Sequence, residues 1–361
     1  MDCFPVELWL KIAPLACLDG GYTARSLQLV SHQMRDIVKP VRFISVSLVT
    51  KTQLLAFSRF LPKGEQEARP SSLSIQHLLV DIKTHYWGDD AKDKENSLRL
   101  QEAVRNLLAV AALTLRTLAL YGTQLDVVAS GVTFPLVEDF CVESLDILGR
   151  NPILPSLLRL HLTRFSSYSG FWPLLARIAP ALTHIRLSGL SQDAELPRIL
   201  RNLLDQPVPD TPESCKALYL VPPYPPGTPE AEAADALASL RTVLVEPIEC
   251  VGGGDCCGTG IVMQIHMKCW LDVVAEEYKQ GTGRGMLYLL PDVVESQVSE
   301  ARREWVEMVE GGSGPWATPE QRAARPPPPP AVVLKPTVTN RINSALRFAQ
   351  NSLKSRMRGG K

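Results

Sequence analysis

Five cysteine and histidine side chains in the C-terminal third have the chemistry to ligate a metal ion. They are Cys250, Cys256, Cys257, His266 and Cys269. A structural zinc site takes four nitrogen or sulfur ligands, and these usually come as close-spaced pairs. Here two cysteines are adjacent, and His266 with Cys269 is the one pair at a favourable spacing. The spacing favours free thiols around a glycine-rich loop over a zinc site, and metal binding by these residues stays open.

The sequence lacks the patterns that mark common catalytic sites. The glycine runs at 252–254 and 281–285 are superficially like phosphate cradles, but neither ends in Lys-Ser/Thr or opens a clear strand–loop–helix unit. There is no G-x-S-x-G elbow and no kinase motif set. The spacing of serine, histidine and aspartate nominates no triad. We therefore predict no catalytic residue and no cofactor, and expect a chain that is not an enzyme.

Three of the six histidines lie between apolar residues of predicted strands: His77, His161 and His184. Side chains alternate across a strand, so these three are expected on one face of a sheet. A solvated sheet face is the simpler interpretation, and a face that reads a partner is the alternative.

The first fifty residues form a separate pattern. Phe4 precedes Pro5, which favours an extended entry followed by a first helical turn. Leu8 and Ile12 continue an apolar stripe at helical spacing, and Pro14 is expected to break this helix. Residues 23–38 are predicted to form a second helix, and apolar and polar side chains alternate over residues 41–48 as they do in a strand.

This segment resembles an F-box, in the F-box-like variety common in mushroom-forming fungi. The resemblance is carried by Phe4-Pro5-Val6-Glu7-Leu8 with Ile12, by Ser26-Leu27-Gln28-Leu29-Val30-Ser31, and by Pro40-Val41-Arg42-Phe43. It implies that the helices hold a Skp-type adaptor and through it a cullin, while the rest of the chain selects an unknown protein substrate of a ubiquitin ligase. The implied adaptor-binding residues are Phe4, Pro5, Leu8, Ile12, Leu29 and Val30. In the alternative, these helices only cap the body of a non-ligase interaction scaffold.

The body carries a recurring apolar pattern at positions +2, +5 and +7 from a reference residue. Copies that start at Pro135, Pro155 and Pro180 are 20 and 25 residues apart, which matches the period of leucine-rich repeats. Further copies start at Leu73 and Leu113, and looser ones are centred on Leu218 and Val243. The predicted fold is an α+β or α/β repeat: a short N-terminal helical F-box-like region, then a leucine-rich-like solenoid. A generic α/β domain with similar strands is the alternative.

Four domains are predicted from these patterns. Residues 1–48 are the F-box-like region, residues 49–249 the repeat body, residues 250–316 its closing cap, and residues 317–361 a Pro-rich basic tail expected to be disordered. The tail holds nine lysines and arginines against one acid, Glu320. Such a segment cannot bury enough apolar surface to offset its ordering entropy.

The amino-acid composition limits which binding partners and which cellular compartment can be expected. The chain has 38 basic and 38 acidic side chains, so its net charge gives no reason to expect a nucleic acid or membrane partner, except through the basic tail. The longest apolar run, Leu107–Leu113, is too short to span a bilayer. Eight cysteines are scattered without a disulfide framework, which favours a reducing intracellular compartment, the cytoplasm or the nucleus.

Overall fold

In the described part of the chain, eight parallel strands form one sheet whose spatial order follows the sequence from β1 to β8. The computed structural model describes residues 5–61, 74–82, 91–122, 132–143, 154–165, 170–190, 196–204, 224–248, 259–279, 285–291 and 298–324. The strands are β1 Ser45–Leu48, β2 His77–Asp81, β3 Thr117–Tyr121, β4 Asp139–Val142, β5 Arg159–Leu162, β6 His184–Leu190, β7 Thr242–Pro247 and β8 Met286–Leu289. The chain divides into two compact units, residues 1–320 and 321–361.

Helices precede these strands, follow them and lie between most successive pairs, but among the described residues none lies between β3 and β4 or between β4 and β5. They are α1 Val6–Ala16, α2 Tyr22–Gln28, α3 His32–Val38, α4 Lys51–Ser58, α5 Ala91–Ala111, α6 Phe171–Ile178, α7 Leu196–Leu203, α8 Pro229–Ala236, α9 Thr259–Lys279, α10 Val298–Val309 and α11 Pro319–Ala323, with a 3₁₀ turn at Gly314–Trp316. Parallel neighbours need such crossovers, because a tight hairpin cannot join strands that run in the same direction.

Side-chain caps fix several helix starts. The Ser31 hydroxyl accepts a hydrogen bond from the Met34 amide at 3.1 Å, and the Thr50 hydroxyl accepts one from the Gln53 amide at 3.1 Å. Such caps satisfy donors that the first helical turn leaves unpaired. The cap at Ser31 also splits the single helix predicted over residues 23–38 into α2 and α3. The predicted break at Pro14 is wrong, because α1 continues through it to residue 16.

One face of the sheet is apolar and packs on α4 to α9. It takes alternate residues of every strand, such as Leu118 and Leu120 of β3 or Leu160 and Leu162 of β5, in one continuous core. In β2 to β7 these are the +5 and +7 positions of the apolar pattern, and the structure confirms them as buried strand residues. The +2 residues, such as Leu157, are buried as well but precede the strands. The copy centred on Leu218 lies outside the described residues. Helices on this face account for the long apolar stretches between strands.

The other face of the sheet is covered by the C-terminal segment of residues 298–317. Trp305 and Val309 of α10 pack against Leu79 and Cys141, which lie on strands β2 and β4. Trp316 of the 3₁₀ turn packs against Leu244 of β7. Both faces of the parallel sheet are therefore covered, as burial of its backbone requires.

The predicted fold class is wrong. The described residues form an α/β fold, with one sheet of eight parallel strands and helices between most of them. They do not form a helical region followed by a leucine-rich-like solenoid. Strand starts are 20 residues apart between Asp139 and Arg159 but 58 apart between His184 and Thr242. The predicted period therefore holds only in the centre of the sheet, and the generic α/β alternative was the better interpretation.

Candidate functional site

Helices α1 to α3 build a small core of their own. Trp9 and Ala13 of α1 and its C-cap residue Cys17 recur every four residues along one side. This side packs on Met34 and Val38 of α3. Ala13, Cys17, Met34 and Val38 are almost fully buried. Burial raises the pKa of the Cys17 thiol, with Asp19 adding to the shift. This core uses the opposite stripe from the one that the sequence pattern emphasised.

The predicted adaptor-binding residues lie on the exposed side of the same helices. Leu8 and Ile12 of α1 are 42% and 40% exposed, and Leu29 and Val30, between α2 and α3, are 77% and 53% exposed. Pro5, at the N-cap of α1, is also exposed. We call these five residues the N-terminal apolar surface. The sixth predicted residue, Phe4, lies outside the described residues.

The N-terminal helices are joined to the first strand of the sheet. The Ser45 hydroxyl of β1 donates to the Leu18 carbonyl at 2.7 Å and accepts from the Gly20 amide at 3.1 Å. On the far side, the Arg302 guanidinium of α10 lies 5.1 Å from the centre of the Tyr22 ring. The apolar surface is therefore held in a fixed position relative to both β1 and α10.

A buried ionic cluster joins the second face of the sheet to the C-terminal segment. The Arg186 guanidinium of β6 donates to Glu246 of β7 at 2.7 Å, to Glu304 of α10 at 3.0 Å and to the Pro315 carbonyl at 2.8 Å. All three charged side chains are at most 5% exposed. Burial alone would lower the pKa of Arg186, but Glu304 and Glu246 more than offset this and raise it above its ordinary value. Arg186 therefore stays charged.

A chain of hydrogen bonds continues from this cluster across the strands. The Ser188 hydroxyl donates to Glu246 at 2.5 Å, so its oxygen is an acceptor for His161 Nε2 at 2.8 Å. This leaves the Nδ1 of a neutral His161 as the acceptor for the Cys141 thiol, whose sulfur lies 3.2 Å away. The Cys141 sulfur in turn accepts from the Tyr121 hydroxyl at 2.8 Å. Neighbouring strands supply each successive donor.

The Cys141–His161 pair resembles a nucleophile with its base, but its electrostatics oppose that chemistry. Burial raises the pKa of the Cys141 thiol to about 12. Burial also raises the pKa of Tyr121 well above its ordinary value. A catalytic cysteine needs a thiolate in a partly exposed, electropositive setting. Cys141 is 6% exposed beneath α10, so its setting is unlike that of a catalytic cysteine. The Ser188 hydroxyl also accepts from Arg186 Nε at 3.1 Å, which links this chain of hydrogen bonds to the ionic cluster.

Trp316 anchors the C-terminal segment beside the cluster. Its indole makes edge contacts with His161 and His184, with ring centres 6.4 and 6.2 Å apart. The Arg159 guanidinium lies 6.0 Å from the indole centre and forms an ion pair with Asp139. Burial lowers the pKa of His184, and Arg159 adds to the effect. A small cavity of about 10 Å³ remains where Trp305 and Trp316 meet the strands.

The histidine face predicted from the sequence is real but is not solvated. His161 is 4% exposed and His77 and His184 are half-buried, because α10 and Trp316 cover this side of the sheet. Residues Arg186, Ser188 and Glu246 were missed. For Arg186 and Ser188 the signal was present in the polar residues that alternate with apolar ones in β6, whereas in β7 Glu246 follows three apolar residues, 243–245. Glu304 carries no such signal, because it reaches Arg186 across 118 residues of sequence.

The candidate metal ligands are not brought together in the part of the chain that the structure describes. Cys250, Cys256 and Cys257 lie outside it, and the His266 side chain is not described. Cys269 is an exposed free thiol on α9. Among the described residues, no group of three or more histidine, cysteine or acidic side chains is arranged to hold a metal ion. None of the described helices is long and apolar enough to cross a membrane.

The chain was compared with protein-family models and with curated proteins, and it matches none of them.

Proposed function

We propose that this chain is the substrate-recognition subunit of a Skp–cullin–F-box type ubiquitin ligase. Its N-terminal apolar surface would bind a Skp-type adaptor and, through it, a cullin, while the sheet-containing body would bind a protein substrate. Ubiquitin transfer would take place on the partner enzymes. The chain's own contribution would be proximity, which raises the effective concentration of the substrate.

The observation that carries this proposal is that one side of α1 is buried while the other side exposes apolar residues. One stripe of the helix, with Ala13 and Cys17, is buried in a local core, while Leu8 and Ile12 on the other side stay exposed. Leu29 and Val30 add exposed apolar surface in the turn beside α3. Single exposed leucines are ordinary, but apolar residues concentrated on one small element favour a partner surface.

A test is co-purification with a purified Skp-type adaptor, using the full-length chain and the double variant Leu8→Asp/Ile12→Asp. Each buried aliphatic side chain contributes roughly 1.5–3 kcal/mol, and burying an unpaired carboxylate adds a penalty. The two changes together should weaken binding more than about a hundredfold. Both positions are exposed, so the fold should tolerate them.

The matched control is Leu113→Asp/Leu136→Asp, which changes two leucines that are 54% and 47% exposed elsewhere on the chain. This control should bind the adaptor like the wild type. Equal binding by both double variants, or no binding by the wild type, would refute the proposal.

A non-ligase interaction scaffold is the second candidate, and the hydrogen bonds of Ser45 favour it. They tie the loop after α1 to the edge strand β1, where the helices would shield an edge that could otherwise pair with another chain. If the Leu8→Asp/Ile12→Asp variant unfolds the whole chain, these residues act as part of such a cap and the scaffold function is favoured.

A further inference from the structure

The second face of the sheet differs from an ordinary core in its chemistry. Of the described residues, the buried polar and charged ones are Ser45, Asp81, Thr117, Asp139, His161, Arg186, Ser188, Glu246 and Glu304. All except Glu304 lie on strands, at positions that alternate with the residues of the apolar core. Burying so many polar groups is unfavourable unless each has a partner. Such a face is built to make specific polar contacts.

The segment of residues 298–317 contacts this face at Arg186 and beside His161 and His184, in the manner of a bound peptide. Its Glu304 presents a carboxylate to Arg186, and its Pro315 presents a backbone carbonyl to the same guanidinium. Its Trp316 provides an aromatic anchor against His161 and His184. Guanidinium–carboxylate pairing and a buried aromatic anchor are recurrent features of protein recognition sites.

The fit of this segment to the face is incomplete. Among the described residues, the indole N–H groups of Trp305 and Trp316 are buried without a hydrogen-bond acceptor, and the two rings border the cavity of about 10 Å³. A buried donor that lacks an acceptor weakens the association that buries it. On the protein side, the segment therefore leaves these two indole donors without an acceptor and a small cavity unfilled.

The segment is also folded back on itself by a demanding turn. Gly314 has a φ of +53°, and a Cβ atom at this position would lie 2.5 Å from both the Glu304 carbonyl oxygen and the Met308 Cβ. Only glycine fits there. The relative placement of Glu304 and Trp316 therefore depends on a glycine at this one position.

From these observations we propose that residues 298–317 are an intramolecular ligand of the second face of the sheet. The partner that replaces them is a protein segment carrying a carboxylate for Arg186 and an aromatic side chain for the position of Trp316. This inference rests on the proposed function in one respect, since that partner would be the substrate. The C-terminal segment would then keep the substrate-binding face closed until such a partner competes with it.

The test uses a fluorescent peptide of residues 298–318 and the full-length chain. A tethered segment competes at an effective concentration of roughly millimolar, so the wild type should bind the peptide weakly. The variant Glu304→Ala/Trp316→Ala weakens the tethered copy, while Glu246 still pairs with Arg186 at 2.7 Å. This variant should bind the peptide at least about tenfold more tightly than the wild type.

The specificity of peptide binding is checked with substituted peptides, because a substitution in the peptide cannot disturb the fold of the protein. Replacing the peptide's own Glu304 by glutamine and Trp316 by alanine should abolish the gain. A second full-length variant, Gly314→Ala, releases the segment without altering a contacting side chain and should show the same gain. A gain in both variants that depends on both peptide anchors supports the proposal.

Three results would overturn it. The first is equal peptide binding by the wild type and by folded variants, and the second is a gain that persists with the doubly substituted peptide. The third is loss of cooperative unfolding in both full-length variants, which would make the segment part of the folding core. Adaptor binding is measured in parallel through the N-terminal apolar surface. Its absence would count against the proposed function, and a peptide result would still stand.

Discussion

Replacing Arg186 by methionine leaves two buried carboxylates without their shared cation. Glu246 retains the Ser188 hydroxyl as a donor, but Glu304 loses the guanidinium that lies 3.0 Å away. The Pro315 carbonyl loses a donor at 2.8 Å as well. Breaking a buried ion pair by removing one partner typically costs about 3–5 kcal/mol, because it leaves an uncompensated charge. We expect the free energy of unfolding to fall by that amount.

The matched control is an ion pair of the same type at the surface. Arg116 and Glu138 are 3.3 Å apart, and their side chains are 56% and 43% exposed. Exposed pairs contribute about 0–1 kcal/mol, so Arg116→Met should change stability little. Both changes remove one guanidinium, which is buried on β6 in one case and exposed at the residue before β3 in the other.

Urea denaturation followed by circular dichroism measures both effects, provided that the slope with denaturant is unchanged. The double variant Arg186→Met/Glu304→Gln completes a double-mutant cycle. Its second change neutralises one of the two carboxylates that lose their pairing with Arg186. It should recover part of the loss, with a coupling energy of about 0.5–3 kcal/mol. Equal losses for Arg186→Met and Arg116→Met, or purely additive changes in the cycle, would refute the buried cluster.

Three further outcomes are expected. Burial, with Arg116 adding to the effect, lowers the pKa of His77 to about 4 from 6.5, so the unfolded chain binds the proton first. The contribution of His77 to the free energy of unfolding is therefore present above pH 6.5 and is lost as the pH falls towards 4, by up to about 3 kcal/mol. The variant His77→Asn should flatten this part of a curve of stability against pH. Leu160→Ala should cost about 2–5 kcal/mol, whereas Leu158→Ala, at a site 40% exposed, should stay within about 0.5 kcal/mol in the same urea assay. Removing residues 325–361 should leave the thermal midpoint and adaptor binding unchanged, and a large drop in the midpoint would show that the tail packs on the body.

The strands could be predicted because their apolar residues repeat at strand spacing. Leu160 and Ile185 are buried where the pattern placed them. The fold class could not be predicted in the same way. The Leu-x-x-Leu-x-Leu pattern marks any strand that follows a turn and buries one face, and it does not fix how strands are connected over intervals of 20 to 58 residues.

The residues of the two sites differ in how far the sequence alone could predict them. Helix α1 has two apolar stripes, and its sequence alone did not show that the smaller one, with Ala13 and Cys17, is the buried one. Arg186 belongs to a readable alternation in β6. Its partner Glu304 depends on where α10 packs, and that placement follows from tertiary structure and not from local pattern.

The central claim is that a Skp-type adaptor binds the N-terminal apolar surface. Amide hydrogen exchange of the full-length chain, alone and with the purified adaptor, tests it most directly. We expect slower exchange in the complex for residues 5–17 and for the turn that contains Leu29 and Val30, with α5 unchanged. A complex whose protected amides lie elsewhere, or an adaptor that changes no amide at all, would contradict the account.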